Sequence, residues 1–375
     1  MKKILGGFIF VTLIWACSSD NESDESEIDP GVETSFERAT MLTNWADNIM
    51  LPSYEAFAVE LDLLNSAFVA FEADTSPSNL ENFRTAWVSA YKVWQRVSMF
   101  EIGPAETVGL RLNVNIYPAD SQKIEAHIVS GMYDLSLSSN RDAKGFPALD
   151  YLINGLGEDD AAIVARFNDA NKDATFTYID TVIQDMITLT AGVVAAWNQS
   201  YRDTFVANDG ASATASVDRF VNDYIFYYEK FLRAGKMGIP LGVFSGTPLP
   251  QNVEAYYERE ISNELFLEGL SAVQDFFNGK HFGASASGES LASYLDALNK
   301  VKNGEDLSAI INTQFNEART LVSGLSSFRS EIENNTPPTE MSLAYDAVQK
   351  AVPMLKVDMV SAMSISIDFV DADGD

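Results

Sequence analysis

Apolar residues recur at intervals of three and four along most of this chain, which is the spacing of amphipathic helices. The clearest stripes are Tyr54, Phe57, Leu61, Leu64, Phe68 and Phe71; Phe83, Trp87, Tyr91 and Trp94; Val182, Met186, Leu189, Val193 and Trp197; Phe220, Tyr224, Tyr228 and Phe231; and Leu265, Val273 and Phe277. Period-two alternation occurs only in residues 364–370, which predict a short strand or a helix end. The pattern therefore predicts an all-α fold.

Two irregular segments interrupt the predicted helices. Residues 101–122 and 233–252 are rich in glycine and proline but keep apolar side chains, which predicts long, ordered loops with a function. Residues 279–290 predict a smaller, flexible loop.

A weak internal repeat predicts two similar helical bundles packed side by side, with the long loops at a central groove. Residues 91–96 and 228–233 each precede one of the long loops, and residues 148–155 and 272–279 each end a helical stretch on Asn-Gly. The boundary is expected in the small, polar segment 205–215.

The first residues resemble a lipoprotein signal peptide. Lys2 and Lys3 precede an apolar run, Ile4–Ala16, which is shorter than a membrane-spanning helix and has the length of a signal-peptide core. Because the small residue before Cys17 resembles a lipobox, we expect this cysteine to carry lipid as the first residue of the mature protein. The alternative is a buried cysteine at the end of a membrane helix.

The segment after Cys17 is acidic and has no apolar periodicity, which predicts a disordered tether. Acidic residues in this place also resemble the surface-export signals of some Gram-negative lipoproteins, although a plain solvated spacer has the same composition. We expect the chain at the outer membrane or cell surface of a Gram-negative bacterium, attached to outer-membrane lipid through Cys17. The predicted organisation is a signal peptide (1–16), a tether (17–35), an N-terminal bundle (36–208), a C-terminal bundle (209–370) and an acidic tail (371–375).

Charge and rare residues exclude several functional classes. After loss of Lys2 and Lys3 the chain has 23 basic and 54 acidic residues, a net charge of −31, and no long basic stripe, which excludes a nucleic-acid partner. With Cys17 acylated, the folded part has no thiol for a disulfide, a thiolate zinc site or a nucleophile. The two histidines, His127 and His281, do not form a His-Glu-x-x-His motif, which excludes a zincin mechanism.

Residues 144–155 contain one carboxylate in an otherwise apolar helix. Pro147 suits the first turn of the helix and Gly155 the position just past its end. Asp150 is then expected in the first turn, where the helix dipole favours an anion. Since the surrounding side chains are apolar, the helix is expected to be buried, and a buried carboxylate needs a cation, several N–H donors or a metal.

This stretch resembles the signature of the imelysin-like family, bacterial cell-envelope proteins classed among metallopeptidases. The family motif Gly-x-His-x-x-Glu falls on Gly145, Pro147 and Asp150. Further segments that resemble family segments, in the same order, are residues 100–106, 117–120, 236–242 and 253–258. The resemblance covers about residues 36–370. It implies a two-domain, all-helical fold with a site in the groove between the domains, and a link to iron or haem uptake that is better supported than proteolysis.

Pro147 stands where the family has histidine, and proline offers neither a donor nor a metal ligand. If the family site binds metal through that histidine, this chain has lost the metal or uses oxygen ligands, which suit hard cations rather than zinc. The cofactor stays open, with iron or another cation as the candidates and Asp150, Asp120, Glu101 and Glu125 as the oxygen ligands. The residues expected at the groove are Asp150, Asp120, Tyr117, Arg96, Arg111, Glu101, Lys236 and Pro147, with the arginines as ion-pair partners of the aspartates.

The expected function is non-catalytic binding in a cell-surface system for iron or haem uptake, with no catalytic residue. The expected partner, besides membrane lipid, is a surface uptake receptor or a haem-bearing protein. Two alternatives stay open: a metallopeptidase of the imelysin type, and a structural or adhesive surface lipoprotein.

Overall fold

The computed structural model describes residues 36–258, 260–302 and 304–368. The predicted signal peptide, Cys17, the tether and the acidic tail lie outside these residues. The α-helices of the described part are α1 (Arg38–Asn44), α2 (Leu51–Ala73), α3 (Pro77–Val97), α4 (Pro104–Val108), α5 (Leu110–Val114), α6 (Ser121–Ser130), α7 (Gly145–Asn154), α8 (Asp160–Arg166), α9 (Lys172–Ala196), α10 (Arg202–Ala207), α11 (Ser216–Phe226), α12 (Ile239–Leu241), α13 (Ser262–Phe277), α14 (Leu291–Ala297), α15 (Leu307–Ser323), α16 (Phe328–Asn334), α17 (Thr339–Pro353) and α18 (Val360–Met363).

Several of these helices continue into one another through π-helical segments, which have wider turns. The π-helical segments are Trp45–Met50, Trp197–Tyr201, Tyr227–Gly238 and Met354–Met359, and the 3₁₀ segments are Ser138–Ala143 and Pro250–Asn252. Two short antiparallel strands, β1 (Val301–Lys302) and β2 (Glu305–Asp306), precede α15. The predicted all-α fold is confirmed.

The helices pack around the apolar stripes that the sequence contains. All of the predicted stripe residues are buried except Leu189 and Phe231, which are partly buried. Helix α2 lies against α3 and α9, while α13 bridges α3 and α15, and α15 lies against α17. From Phe36 onwards the chain forms one compact unit, so a division into two bundles stays a prediction.

One helical run, Lys172–Ala207, is long and apolar enough by length and composition to cross a membrane. One of its faces, with Phe176, Val182 and Trp197, belongs to the hydrophobic core, and its first part, α9, packs against α2 and α7. A helix that packs in the hydrophobic core of a protein can have the same length and composition as a membrane-spanning helix.

The structure corrects one predicted loop and refines two other segments. Residues 233–241 are helical, because the π-helical segment Tyr227–Gly238 runs directly into α12. Pro240 lies near the end of this run, which stops after Leu241. Segment 101–122 is partly helical, since it contains α4 and α5. Residues 364–370 follow the end of α18, and the described part of them, up to Asp368, contains no strand.

Candidate functional site

Helix α7 is enclosed by its neighbours, as its apolar sequence predicts. Eight of its ten residues are buried, and it packs against α3, α5, α6 and α9. Pro147 lies in the first turn, as expected. The predicted position of Asp150 is wrong: because α7 begins at Gly145, this carboxylate lies in the second turn, so the helix dipole does not explain it.

Gly145 fixes where α7 begins. Its φ is +70°, in the left-handed region, and an added Cβ would lie 2.0 Å from the carbonyl oxygen of Val114 at the end of α5. A side chain here would need a backbone shift, so glycine is required both by conformation and by space. The close approach of α7 to α5 depends on it.

Asp150 is bound by N–H donors. Its Oδ2 accepts a hydrogen bond from the backbone N–H of Tyr257 at 2.8 Å, and its Oδ1 accepts from the backbone N–H of Glu258 at 3.0 Å. The side-chain amide of Asn154, one turn further along α7, donates to Oδ1 at 3.0 Å. The carboxylate therefore ties α7 to residues 250–258, which we call the 250–258 loop.

Burial raises the pKa of Asp150 to about 7, although the three hydrogen bonds to its carboxylate act in the opposite direction. The side chain is nearly inaccessible, with 2% of its surface exposed, so desolvation of the charged form outweighs the donors. Asp150 is thus a carboxyl group that titrates near neutral pH.

A cavity of about 240 Å³ lies beside Asp150. Its walls are Tyr117, Pro118, Ala119, Pro147, Asp150, Gln251, Val253, Ala255, Tyr256 and Tyr257. We call it the outer cavity. Three elements form it: the segment before α6, the first turns of α7, and the 250–258 loop. The structure thus brings together three of the predicted site residues, Asp150, Tyr117 and Pro147.

The 250–258 loop is strained where it borders the outer cavity. Ala255 has a φ of +56°, which is uncommon for a residue with a side chain. Such strain persists only where the neighbouring contacts enforce it, and it concentrates at functional sites. Here Glu254 on one side and the N–H groups of Tyr257 and Glu258 on the other are both held by buried partners.

A buried ion pair anchors the other end of this loop. Lys236, in the π-helical segment Tyr227–Gly238, binds Glu254, and the two side chains are 4% and 2% exposed. Glu254 also accepts hydrogen bonds from Gln95 at 3.2 Å and from Asn115 at 2.7 Å. The hydroxyl of Tyr91 donates to Asn115 Oδ1 at 2.6 Å. Burial lowers the pKa of Lys236, while the Glu254 carboxylate acts to raise it.

A second buried ion pair lies nearby. Arg111 makes a bidentate contact with Asp223, with N–O distances of 3.0 and 3.1 Å, and its Nε donates to the carbonyl of Ser98 at 2.6 Å. The backbone N–H of Arg111 donates to Glu101 at 2.9 Å. Burial raises the pKa of Glu101 to about 7 against the opposing charge of Arg111. Arg111 and Glu101 therefore belong to a neighbouring ion-pair cluster and do not line the outer cavity.

The imelysin family model matches residues 50–352. The chain belongs to the imelysin family. A curated relative, the iron-regulated protein A of Synechococcus elongatus, is 26% identical over 132 residues, 33% of this chain and 36% of the relative. That match therefore spans about a third of the relative's length.

Two solved structures share the fold of this imelysin-family chain. One, described as an iron-regulated protein A precursor from Parabacteroides distasonis, has a TM-score of 0.69 at 15% identity and covers 86% of this chain and 95% of the other. The second, an imelysin-like protein from Psychrobacter arcticum, has a TM-score of 0.68 at 15% identity and covers 90% of this chain and all of the other. At these identities the likeness establishes the fold alone.

Three further predicted site residues of this imelysin-family chain also lie outside the walls of the outer cavity. Asp120 caps the N-terminus of α6 by accepting the N–H of Lys123 at 3.0 Å. Glu125 binds Arg166 and the hydroxyl of Tyr151. Arg96 pairs with two carboxylates of α13. These two carboxylates belong to Glu268 and Asp275.

The expected ion pair between Asp150 and Arg96 or Arg111 is therefore wrong, because backbone N–H groups take that place. The expected oxygen ligands, Asp150, Asp120, Glu101 and Glu125, are also not brought together. Within the described ranges, no group of three or more His, Cys, Asp or Glu side chains is arranged to hold a metal ion.

Sequence reasoning missed the residues that hold the 250–258 loop. Glu254 lies in a segment that resembles the family, but neither its spacing nor its neighbours distinguish it from a surface glutamate. Gln95 and Asn115 are likewise inconspicuous in sequence. The N–H groups of Tyr257 and Glu258 have no sequence signal, since every residue except proline carries one.

Proposed function

We propose that this imelysin-family chain is a non-catalytic binding protein of the cell envelope that serves iron or haem uptake, and that it binds its ligand in the outer cavity. The observation that carries the proposal is the setting of Asp150. A carboxylate offers about four lone-pair positions, and three of those on Asp150 receive N–H donors. The fourth position leaves an acceptor for a ligand in a cavity walled by tyrosine and proline.

The chemistry of the cavity favours binding over peptide cleavage. Hydrolysis needs an activated water or nucleophile and a group that transfers protons. Proline occupies the place of the motif histidine, and His127, in α6, contacts Tyr178 at 3.3 Å instead of facing the cavity. Among the residues that the structure describes, Asp150 is the only carboxyl group in the walls of the outer cavity, and no histidine lies there, so a second carboxyl or imidazole group to share proton transfer is missing.

The link to iron is supported by the names of two similar proteins, from Synechococcus elongatus and Parabacteroides distasonis, both of which are called iron-regulated. The supply of iron or haem at a bacterial surface requires binding and hand-over, which a cavity without catalytic groups can perform. A surface uptake receptor or a haem-bearing protein is the proposed partner.

The proposed location is the outer membrane or cell surface of a Gram-negative bacterium, with lipid on Cys17 as the anchor. The apolar run before Cys17 and the acidic segment after it support this. In cells fed a labelled fatty acid, the wild-type protein is expected to take up label and Cys17→Ser to take up none. Equal labelling of both would refute the anchor.

Ligand binding is tested by thermal unfolding of the full chain in detergent with haem, ferric citrate or ferrous ion. At least one is expected to stabilise the wild type, by about 2.7 kcal/mol at a ligand concentration of a hundred times Kd. Asp150→Asn is expected to lose most of this effect. Asp120→Asn is the matched control, since asparagine caps a helix as well as aspartate and Asp120 lies outside the cavity walls.

Two outcomes would contradict the proposal. One is the absence of stabilisation by all three ligands. The other is chelator-sensitive cleavage of an unstructured protein substrate that is lost in Asp150→Asn, which would instead favour the peptidase.

A further inference from the structure

A second, much smaller cavity shares a wall residue with the outer cavity, since Tyr117 lines both. This inner cavity measures about 20 Å³, which is room for one water molecule. Its walls are Trp94, Gln95, Ser98, Arg111, Asn115, Tyr117, Tyr227, Phe231 and Lys236. The two cavities are thus neighbours with one aromatic side chain in common.

Two residues that line the inner cavity have unused hydrogen-bonding capacity. Among the described residues, the indole Nε1–H of Trp94 and the Oε1 of Gln95 have no hydrogen-bond partner, although the two residues are only 1% and 0% exposed. The orientation of the Gln95 amide follows from chemistry, because its Nε2 faces the Glu254 carboxylate, which can only accept. Unpaired buried groups of this kind are rare in folded proteins, because each loses its hydrogen bond to water and gains none in return.

The charges around the inner cavity are already compensated. Lys236 is paired with Glu254, and Arg111 is paired with Asp223. An ionised group entering this space would lose its hydration without finding an unpaired counter-charge. The inner cavity therefore favours a neutral polar group.

A hydroxyl group has the hydrogen-bonding capacity that both orphaned atoms lack. It accepts one hydrogen bond from the Trp94 N–H and donates one to the Gln95 oxygen, whereas a carboxylate cannot donate and an ammonium group cannot accept. A water molecule has the same capacity and fits the present volume. A ligand hydroxyl needs more space, which only a movement of Tyr117 would provide.

Tyr117 is placed to move. It is partly exposed, and no hydrogen bond ties its hydroxyl to another described residue. The hydroxyl lies against Gly235, where an added Cβ would approach it to 3.4 Å. Packing alone therefore restrains the ring, and rotation towards the outer cavity would join the two spaces.

We propose that the two cavities are parts of one ligand site divided by Tyr117, and that the ligand is a small flat molecule whose hydroxyl binds Trp94 and Gln95 in the inner cavity. The tyrosine and proline walls of the outer cavity accommodate its flat body, and Asp150 accepts a hydrogen bond from a donor elsewhere on it. This inference rests on the proposed function only in taking the outer cavity as a binding site. It does not depend on iron or haem.

Two matched probes test the proposal: tyramine, which has a hydroxyl and an ammonium group, and phenethylamine, which lacks the hydroxyl. Ligand-detected NMR titration of the full chain in detergent gives the Kd of each. In the wild type, tyramine is expected to bind about fivefold to tenfold more tightly than phenethylamine, the worth of about one hydrogen bond. In Trp94→Phe this preference is expected to vanish.

Tyr117→Ala supplies an independent test, because it removes the side chain that must move. Tyramine is expected to bind this variant about fivefold more tightly than the wild type and to keep its advantage over phenethylamine. The inference is overturned if tyramine does not bind the wild type, if it has no advantage over phenethylamine, if the advantage survives Trp94→Phe, or if Tyr117→Ala leaves the affinity unchanged. Stabilisation by haem or iron without a preference for the hydroxyl would leave the proposed function intact.

Discussion

Replacing Glu254 with glutamine is expected to lower the free energy of unfolding by about 3–5 kcal/mol. The substitution keeps the size of the side chain but leaves the Lys236 ammonium, itself almost fully buried, without its counter-charge. Gln95 and Asn115 both donate to Oε1 of Glu254, and Lys236 donates to Oε2, so the new amide NH₂ would face a donor in either orientation. Urea unfolding followed by circular dichroism measures the loss.

The same substitution at an exposed ion pair is the matched control. Glu264 pairs with Lys92 at 2.6 Å, and the two side chains are 52% and 38% exposed. Glu264→Gln is expected to cost less than about 1 kcal/mol, because water screens the pair. Similar losses for Glu254→Gln and Glu264→Gln would show that the interior pair does not hold the 250–258 loop in place.

Asp150→Asn is expected to gain stability relative to the wild type as the pH rises from about 4 to about 7. Burial raises the pKa of Asp150 to about 7 in the folded state, from an ordinary value near 3.8. Between these pH values the folded protein binds a proton that the unfolded chain has released, so the wild type loses stability with rising pH. Asparagine does not titrate, so the variant escapes this loss, which is on the order of a few kcal/mol over the whole window.

The measurement is the difference in unfolding free energy between the two proteins at several pH values. The difference is expected to change through the window and become constant above about pH 8. Glu101→Gln is expected to change in the same direction, since burial raises the pKa of Glu101 to about 7 as well. Asp134→Asn is expected to show little change in this window, because hydrogen bonds from Ser136 lower the pKa of Asp134 below its ordinary value of 3.8 and its effect on stability changes only at more acidic pH. A difference between wild type and Asp150→Asn that is independent of pH would contradict the raised pKa.

The helices were predictable from sequence because the stripes that define them are long and regular. Phe57, Trp87 and Trp197 are buried as their spacing predicts. The helical nature of residues 233–241 was not predictable from local preference, since Gly235, Gly238 and Pro240 usually interrupt helices. Here the neighbouring helices α13 and α17 pack against the π-helical segment, and tertiary contacts override the local preference.

The site was predictable only in part. The apolar surroundings of Asp150 indicated a buried carboxylate, and the segment with Tyr117 was expected beside it; both lie at the outer cavity. The partner of Asp150 was not predictable, because backbone N–H groups from a loop more than 100 residues away provide it. Their charge favoured Arg96 and Arg111 as partners of Asp150, but in the fold each arginine pairs with other carboxylates.

Hydrogen exchange at the 250–258 loop tests the central claim most directly. If the outer cavity beside Asp150 binds the ligand, at least one of haem, ferric citrate, ferrous ion and tyramine slows amide exchange in residues 250–258 and 115–120 of the wild type. The same ligand is expected to leave these segments of Asp150→Asn nearly unchanged. Two results would contradict a binding site at Asp150: that no ligand slows exchange in these segments, or that a ligand slows it equally in both proteins.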